Sequence, residues 1–360
     1  MNQHEYAIIM AGGIGSRFWP VSRNNHPKQF LDILNTGKSL IQWTYERFKK
    51  FIPNENIYVV THKKYVDKVK EHLPDLPVQN IVAEPSRKNT APCIAYISYK
   101  ILKRDPEARM ICSPADHLIM EQEFFSKVCR DGLQFVGAED ALLTLGIKPN
   151  RPDTGYGYIQ FNTEPHLNRI HKVKIFTEKP DRELAETFLK SGDFLWNAGI
   201  FLWSVHSVVQ AFKQYQPELN ELFEQVYDKL NTGEEADSME FVYSQCTNIS
   251  IDYAIMEKAD NVFVLPADFG WSDLGTWNSA YDNMDKDYLN NAVAGKNVRV
   301  IDAAHCMIKT TNDKLVVLQG LDNFIVVDTA DVLLICEKDK EQQIKGYVAD
   351  IKRNKGEKYL

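Results

Sequence analysis

The chain has 360 residues, enough for about two domains with a sizeable core. Hydrophobic residues make up 44% and charged residues 25%, a globular balance that excludes a disordered or collagenous chain. A formal net charge of −7 does not advertise the basic face that general nucleic-acid binding requires, although a few placed cations suffice for a small anion. No apolar run approaches the ~18 residues needed to cross a bilayer. The stretch Tyr6–Ala11 is too short for a signal segment, and acidic Glu5 precedes it. A cytoplasmic location is expected, with no membrane or nucleic-acid partner. Cys93, Cys112, Cys129, Cys246, Cys306 and Cys336 form no CxxC or Cys/His cluster, so neither a zinc site nor a disulfide framework is expected.

In chain order, Tyr6–Met10 reads as a buried strand that runs into a glycine loop. Leu40–Phe51 follows as an amphipathic helix opened by Ser39, and Ile57–Val60 is a second strand. Tyr65–Leu73 reads as helix and Ile81–Ala83 as strand. Pro92–Lys103 is a helix with Ile94, Ile97, Ser98 and Ile101 on one face, and Met110–Cys112 is a further strand. Strands alternating with helices predict an open, mixed, mostly parallel α/β sheet, whose ligands lie beyond the carboxyl ends of its strands. From about Asn290 the texture changes to short β-rich runs at Val298–Ile301, Cys306–Ile308, Leu315–Leu318, Phe324–Val327 and Val332–Ile335, separated by Asn, Asp and Gly. Two domains are expected, 1–285 and 286–360, the second all-β.

Ala11-Gly12-Gly13-Ile14-Gly15-Ser16-Arg17 follows the first strand directly. Glycines let a backbone approach an anion closely, and Arg17 adds a guanidinium fork. Two other phosphate motifs fail. A dinucleotide fingerprint needs glycine where Phe18 stands, which disfavours a nicotinamide dehydrogenase, and Gly37-Lys38-Ser39 lacks a P-loop's first glycine at Asp32. The continuation through Phe18-Trp19-Pro20, Ser22-Arg23 and Pro27-Lys28-Gln29-Phe30 is too rich in proline and cations for a helix. It reads as a long phosphate-gripping loop carrying Arg17, Arg23 and Lys28.

This loop resembles the sugar-1-phosphate nucleotidylyltransferases, and within them the GTP-dependent mannose-1-phosphate guanylyltransferase branch. The resemblance recurs at Glu84-Pro85-Ser86-Arg87-Lys88-Asn89-Thr90, at Ser113-Pro114-Ala115-Asp116-His117, at Thr154–Ile159, at Phe176–Pro180, at Trp196–Phe201, at Ser250–Glu257 and at Gly270–Trp277. The family usually has glycine where Arg87 stands. Beside the resemblance, Asn89 and Thr90 also read as a helix cap, and Ser250–Glu257 as a helix with Asp252 at its N-terminus.

The resemblance implies transfer of GMP from GTP to mannose 1-phosphate, giving GDP-mannose and pyrophosphate. It implies nucleotide contacts from Ala11, Gly12, Gly13, Gly15, Ser16, Arg17, Glu84, Asn89, Thr90, Ser113 and Asp116. Sugar-phosphate contacts come from Gly155, Glu178, Lys179 and Asn197. Arg17, Lys28 and Lys179 would be the catalytic cations, and Asp116 with Asp273 would bind Mg2+, His117 supporting. The C-terminal domain would be a short left-handed β-helix and would offer a homodimer surface. With only Asp350–Leu360 beyond the β-rich runs, no isomerase activity is expected. The alternatives are another manno-configured sugar phosphate, or a non-catalytic sugar-nucleotide-binding protein.

Overall fold

The computed structural model describes residues 3–360, and they form two compact units. The first gathers the segment ending at Gly12 with Thr44–Ala115 and Ile119–Trp271. Its strands are β1 (Glu5–Ala11), β2 (Ile57–His62), β3 (Ile81–Glu84), β4 (Arg109–Pro114), the two-residue β5 (Leu118–Ile119), of which only Ile119 belongs here, β6 (Leu142–Ile147), β7 (Tyr158–Phe161), β8 (His171–Thr177), β9 (Phe194–Ser204) and β10 (Val262–Pro266). Nine of them make one sheet in the order β3-β2-β1-β4-β9-β6-β10-β8-β7. β1 to β4 are mutually parallel, as are β6 and β10, whereas β9 and β8 run against their neighbours. β2 and β6 are buried along their whole length, as strands covered on both faces are.

The helix Thr90–Arg104 packs its predicted face inward: Ile94, Ile97, Ser98 and Ile101 are all inaccessible to solvent. Because β1, β3 and β4 run the same way, Gly12, Glu84 and Ser113 all come to the carboxyl edge of the sheet, where an α/β sheet takes its ligands. All six cysteines are buried free thiols. Among the described residues no helix is long and apolar enough to cross a membrane. Ser250–Glu257 is not an ordinary helix: it makes a π-helical turn over Asp252–Met256.

The second unit is assembled from three stretches of the chain. It joins Gly13–Trp43 and Asp116–Leu118 to Ser272–Leu360. After β11 (Trp271–Ser272) come β12 (Ala292–Ala294), β13 (Val298–Ile301), β14 (Met307–Thr310), β15 (Val316–Gln319), β16 (Phe324–Asp328) and β17 (Leu333–Glu337). β12, β14 and β16 stack in parallel register, as do β13 and β15, so successive coils lie on one another as in a solenoid. β17 closes the stack antiparallel to β16.

Strand alternation explains why the long loop belongs here. Ile308 and Val326 point to a small interior cluster with Cys306 and Leu318. Their neighbours Met307, Ile325 and Val327 point the other way, and Phe18, Trp19, Leu31, Ile33 and Trp277 share their cluster. Phe18 meets Trp277 edge-on with ring centroids 4.9 Å apart, and the Trp19 indole N–H donates to the Tyr359 carbonyl at 2.7 Å.

Arg23, expected to grip phosphate, does something else. Its guanidinium forks onto both oxygens of Asp331 at 2.6 and 2.7 Å, and its Nε donates to the Pro20 carbonyl at 2.8 Å. The hydrogen bond from Arg23 holds the Asp331 carboxyl below its ordinary value. A cation count along a loop does not distinguish a ligand from a strut. Arg23→Ala should therefore lower stability by about 1 kcal/mol, discounted for the pair's partial exposure, and the charge swap with Asp331→Arg should recover part of it. Urea midpoints of Arg23→Ala, of Arg23→Asp and of Arg23→Asp combined with Asp331→Arg check this.

Candidate active site

In the first unit, the base-segment residues gather round Gly12. Glu84, at the end of β3, is 5% exposed, and its Oε1 accepts from the Tyr243 hydroxyl at 2.8 Å. A Cβ on Gly12 would lie 3.4 Å from Glu84 Oε2, so the glycine leaves space beside that carboxylate. Burial pushes Glu84 up to about 7, against the pull of the Tyr243 hydroxyl and the Arg87 charge.

Asn89 and Thr90 are held by their surroundings. Asn89 caps the helix Thr90–Arg104 from a left-handed φ of 70°, its side chain accepting from the Thr90 N–H. Thr90 Oγ1 accepts from the Ile251 N–H at 2.8 Å. Lys88 donates to the Cys246 carbonyl at 3.0 Å, so the whole segment is tied to 246–251. Ser113 is fully buried in β4 opposite Ile9, and the Ala11 carbonyl accepts from the Thr61 hydroxyl at 2.9 Å.

A second cluster in the same unit surrounds Gly157. Tyr158 pairs with Thr177 on one side and Trp196 on the other, which brings Glu178 and Asn197 to the glycine. A Cβ there would stand 2.4 Å from Glu178 Oε2, so any other residue would displace that carboxylate. Asn197 cannot turn. Its N–H donates to the Gly157 carbonyl at 2.8 Å, its Oδ1 accepts from the Thr144 hydroxyl at 3.0 Å, and its Nδ2 donates to Asp252 Oδ1 at 2.9 Å. Lys179, at φ 48°, pairs its ammonium with its neighbour Glu178. Gly155 lies on the exposed turn, its N–H donating to Asp153 Oδ1 at 2.9 Å.

Asp252 is the residue that sequence reasoning undervalued. Burial first, and then the charge of Glu178, raise it to about 6. Burial and Glu178 raise Glu257 as well. The motif Ser250–Glu257 was visible, but nothing in its spacing shows that Asp252 meets Asn197. Tyr243 carried no signal at all.

From Gly13 onward the glycine-loop residues lie in the second unit. Gly15 has φ +71°, and a Cβ there would sit 2.3 Å from the Lys28 Cβ, so both backbone conformation and space demand glycine. The Ile14 carbonyl accepts from the Lys28 N–H at 3.1 Å and from the Ser22 hydroxyl at 2.5 Å, closing the loop. Ser16 starts the 3-10 turn Ser16–Phe18 that carries Arg17. Arg17 Nε is buried with no hydrogen-bond partner among the described residues.

Lys28 is 4% exposed. Its ammonium lies 2.9 Å from Asp116 Oδ2 and donates to the Asp273 carbonyl oxygen at 2.7 Å. Burial raises the Asp116 carboxyl, but Lys28, His117 and hydrogen bonds outweigh it and hold the group below its ordinary value. The Asp273 carboxylate turns back to accept from the Gly275 N–H at 3.0 Å. The two aspartates expected to share a metal are thus brought to one lysine, 157 positions apart in the sequence. No group of three or more His, Cys, Asp or Glu side chains among the described residues forms a metal cage.

Comparison with known families decides the class. Residues 6–290 match the family described as nucleotidyl transferase. The chain belongs to the nucleotidyl transferase family. Downstream, this nucleotidyl transferase continues into a β-helix, for residues 295–351 match the MannoseP isomerase/GMP-like beta-helix domain. A Klebsiella pneumoniae mannose-1-phosphate guanylyltransferase is 33% identical over 98% of this chain and 75% of its own. An alginate biosynthesis protein, AlgA, from Pseudomonas syringae pv. tomato is 36% identical over 96% of this chain and 71% of its own. A crystal structure described as a mannose-1-phosphate geranyltransferase from Thermus thermophilus aligns with TM-score 0.87 and 28% identity, over 97% of this chain and all of that one.

Gly15→Ala should lower the melting temperature and displace Lys28, whereas Gly13→Ala, whose Cβ would meet nothing within 4 Å, should leave it near the parent value. Glu84 and Asp252 bind their protons more tightly in the fold than in the unfolded chain. The stability they contribute is present below the ordinary carboxylate range and is lost as pH rises through about 6 and about 7. Glu84→Gln and Asp252→Asn should each flatten that decline in a melting-temperature series against pH.

Proposed function

We propose that this nucleotidyl transferase moves GMP from GTP to mannose 1-phosphate, forming GDP-mannose and releasing pyrophosphate. The observation that carries the reading is the Lys28 ammonium buried against Asp116 and Asp273 beside Gly15, in a chain matched almost end to end by relatives bearing that name. The sugar phosphate is already a competent oxygen nucleophile at neutral pH, so no general base is needed. What remains for the protein is alignment with the α-phosphorus, opposite pyrophosphate, and neutralisation of the charge gathered there.

Arg17, with its unfilled Nε, and Lys28 hold the triphosphate, with backbone donors from Gly12, Gly13, Gly15 and Ser16. Lys179 takes the incoming phosphate, and its side chain is 58% exposed and therefore free to swing from Glu178. Glu178 and the locked amide of Asn197 bond sugar hydroxyls beside Gly155. Glu84 accepts from the guanine N1 and N2 donors, and an amide or backbone N–H of the 84–90 segment donates to O6.

Asp116 and Asp273 suit magnesium, because both offer hard oxygen and a cation already rests against Asp116 in the form of the Lys28 ammonium. When bound, the metal supplies further neutralisation of the phosphate under attack. The finer expectations belong to the same proposal: a left-handed coil, a cytoplasmic location and a homodimer, the last checked by sedimentation.

GTP should be used at least about a hundredfold better than ATP or UTP, because an analogue leaves buried polar groups unpaired. Comparable kcat/KM for UTP in a pyrophosphate-release assay would end the guanine assignment, and a preference for another sugar 1-phosphate would end the mannose one. Asp116→Asn and Asp273→Asn should each lower kcat on the order of a hundredfold, and the double variant by far less than the product. Normal turnover by both single variants at sub-millimolar magnesium would refute the shared site.

A further inference from the structure

Arg87 is exposed, yet its guanidinium is tied into the base cluster. Its Nε donates to the Gly12 carbonyl at 3.1 Å. Its Nη2 donates to the Tyr65 hydroxyl, and the guanidinium lies over the Tyr65 ring, 5.4 Å from the centroid. Three contacts of different kinds fix one planar group. They join the turn after β1 to the 3-10 turn after β2, and Arg87 itself follows β3. One side chain thus ties together the carboxyl ends of three neighbouring strands.

We propose that Arg87 is a positioning residue for the nucleotide base, holding the Gly12 peptide in the orientation that leaves Glu84 open to a guanine edge. The inference rests on the reading of Glu84 as the base acceptor. A peptide unit is planar, so anchoring the Gly12 carbonyl also fixes the direction of the N–H that follows it.

Charge adds a second consequence. Glu84 is faced by the Tyr243 hydroxyl, the thiols of Cys93 and Cys246, the Tyr96 phenol, and His62 across the β2–β3 register. Arg87 is the cation that pulls the carboxyl down against burial. It also pushes His62, already lowered by burial, towards its neutral form. Without Arg87 the Glu84 proton is retained to higher pH, and an acceptor for guanine N1–H and N2–H is lost with it.

The test uses the full chain with GTP and mannose 1-phosphate, measuring KM, kcat and the pH dependence of kcat/KM for Arg87→Ala, Arg87→Lys and Glu84→Gln. Because Arg87 lies at the surface, its replacements leave the core intact. Arg87→Ala should raise the KM for GTP about tenfold, with kcat and the KM for mannose 1-phosphate near parent values. Its acid limb should move to higher pH. Arg87→Lys should keep the acid limb close to the parent's, since the charge remains, but lose most of the affinity because the fork is gone. A parent-like KM for GTP together with an unmoved limb in Arg87→Ala overturns the proposal, whatever Glu84 does. An acid limb that persists in Glu84→Gln overturns the base assignment instead, whatever Arg87 does.

Discussion

A single buried ammonium holds the second unit together. That unit consists of three stretches distant in sequence, and each sends one group to the same point: the lysine Lys28 from Gly13–Trp43, the carboxylate of Asp116 from Asp116–Leu118, and the Asp273 carbonyl from Ser272–Leu360. An amine this deeply buried costs several kcal/mol unless its partners are present, and losing one partner exposes the rest of that cost. The requirement is mutual. The Lys28 ammonium has the Asp116 carboxylate as its counter-ion, and Lys28 in turn holds that carboxyl below its ordinary value against the effect of burial. Gly15 completes the arrangement by admitting the lysine stem where any other side chain would stand.

The cluster round Gly157 works by the opposite electrostatics. Glu178 acts on Asp252 and on Glu257 as a like charge, with Lys179 the nearby cation. Burial raises Asp252 and Glu257 first, and crowding by the Glu178 charge adds to it. A sugar, with hydroxyls to donate, would relieve this crowding by giving each oxygen a hydrogen. The rigid Asn197 amide sets where those oxygens point.

Much of the first unit was legible because its strands are short, apolar and separated by glycine, proline and charged turns. Tyr6–Met10, Ile57–Val60 and Met110–Cys112 each fall within an observed strand, and the helix face of Ile94, Ile97 and Ile101 is buried as its spacing requires. The β-rich runs after residue 290 were legible for the same reason, though their stacking is a matter of register between coils and leaves no mark on any one run. Less legible was everything that depends on a partner far along the chain. Arg23 looks like a phosphate cation until Asp331, 308 residues later, is seen to neutralise it. Asp252 looks like a helix end until it meets Asn197. Asn89 and Thr90 supported two readings from the outset, and the hydrogen bonds found are those of a cap and a tie.

The alternation of Met307, Ile325 and Val327 against Ile308 and Val326 has a practical side. The coil needs a cover on its outward face, and Phe18, Trp19, Leu31 and Ile33 provide it from the far end of the polypeptide. Modules that look separable along the chain are therefore interlocked in space. A chimera that exchanged the β-helix between two relatives at residue 285 would bring a foreign face to the parental loop. The exchange becomes conservative only if residues 13–43 travel with the coil, so the loop and the β-helix act as one block.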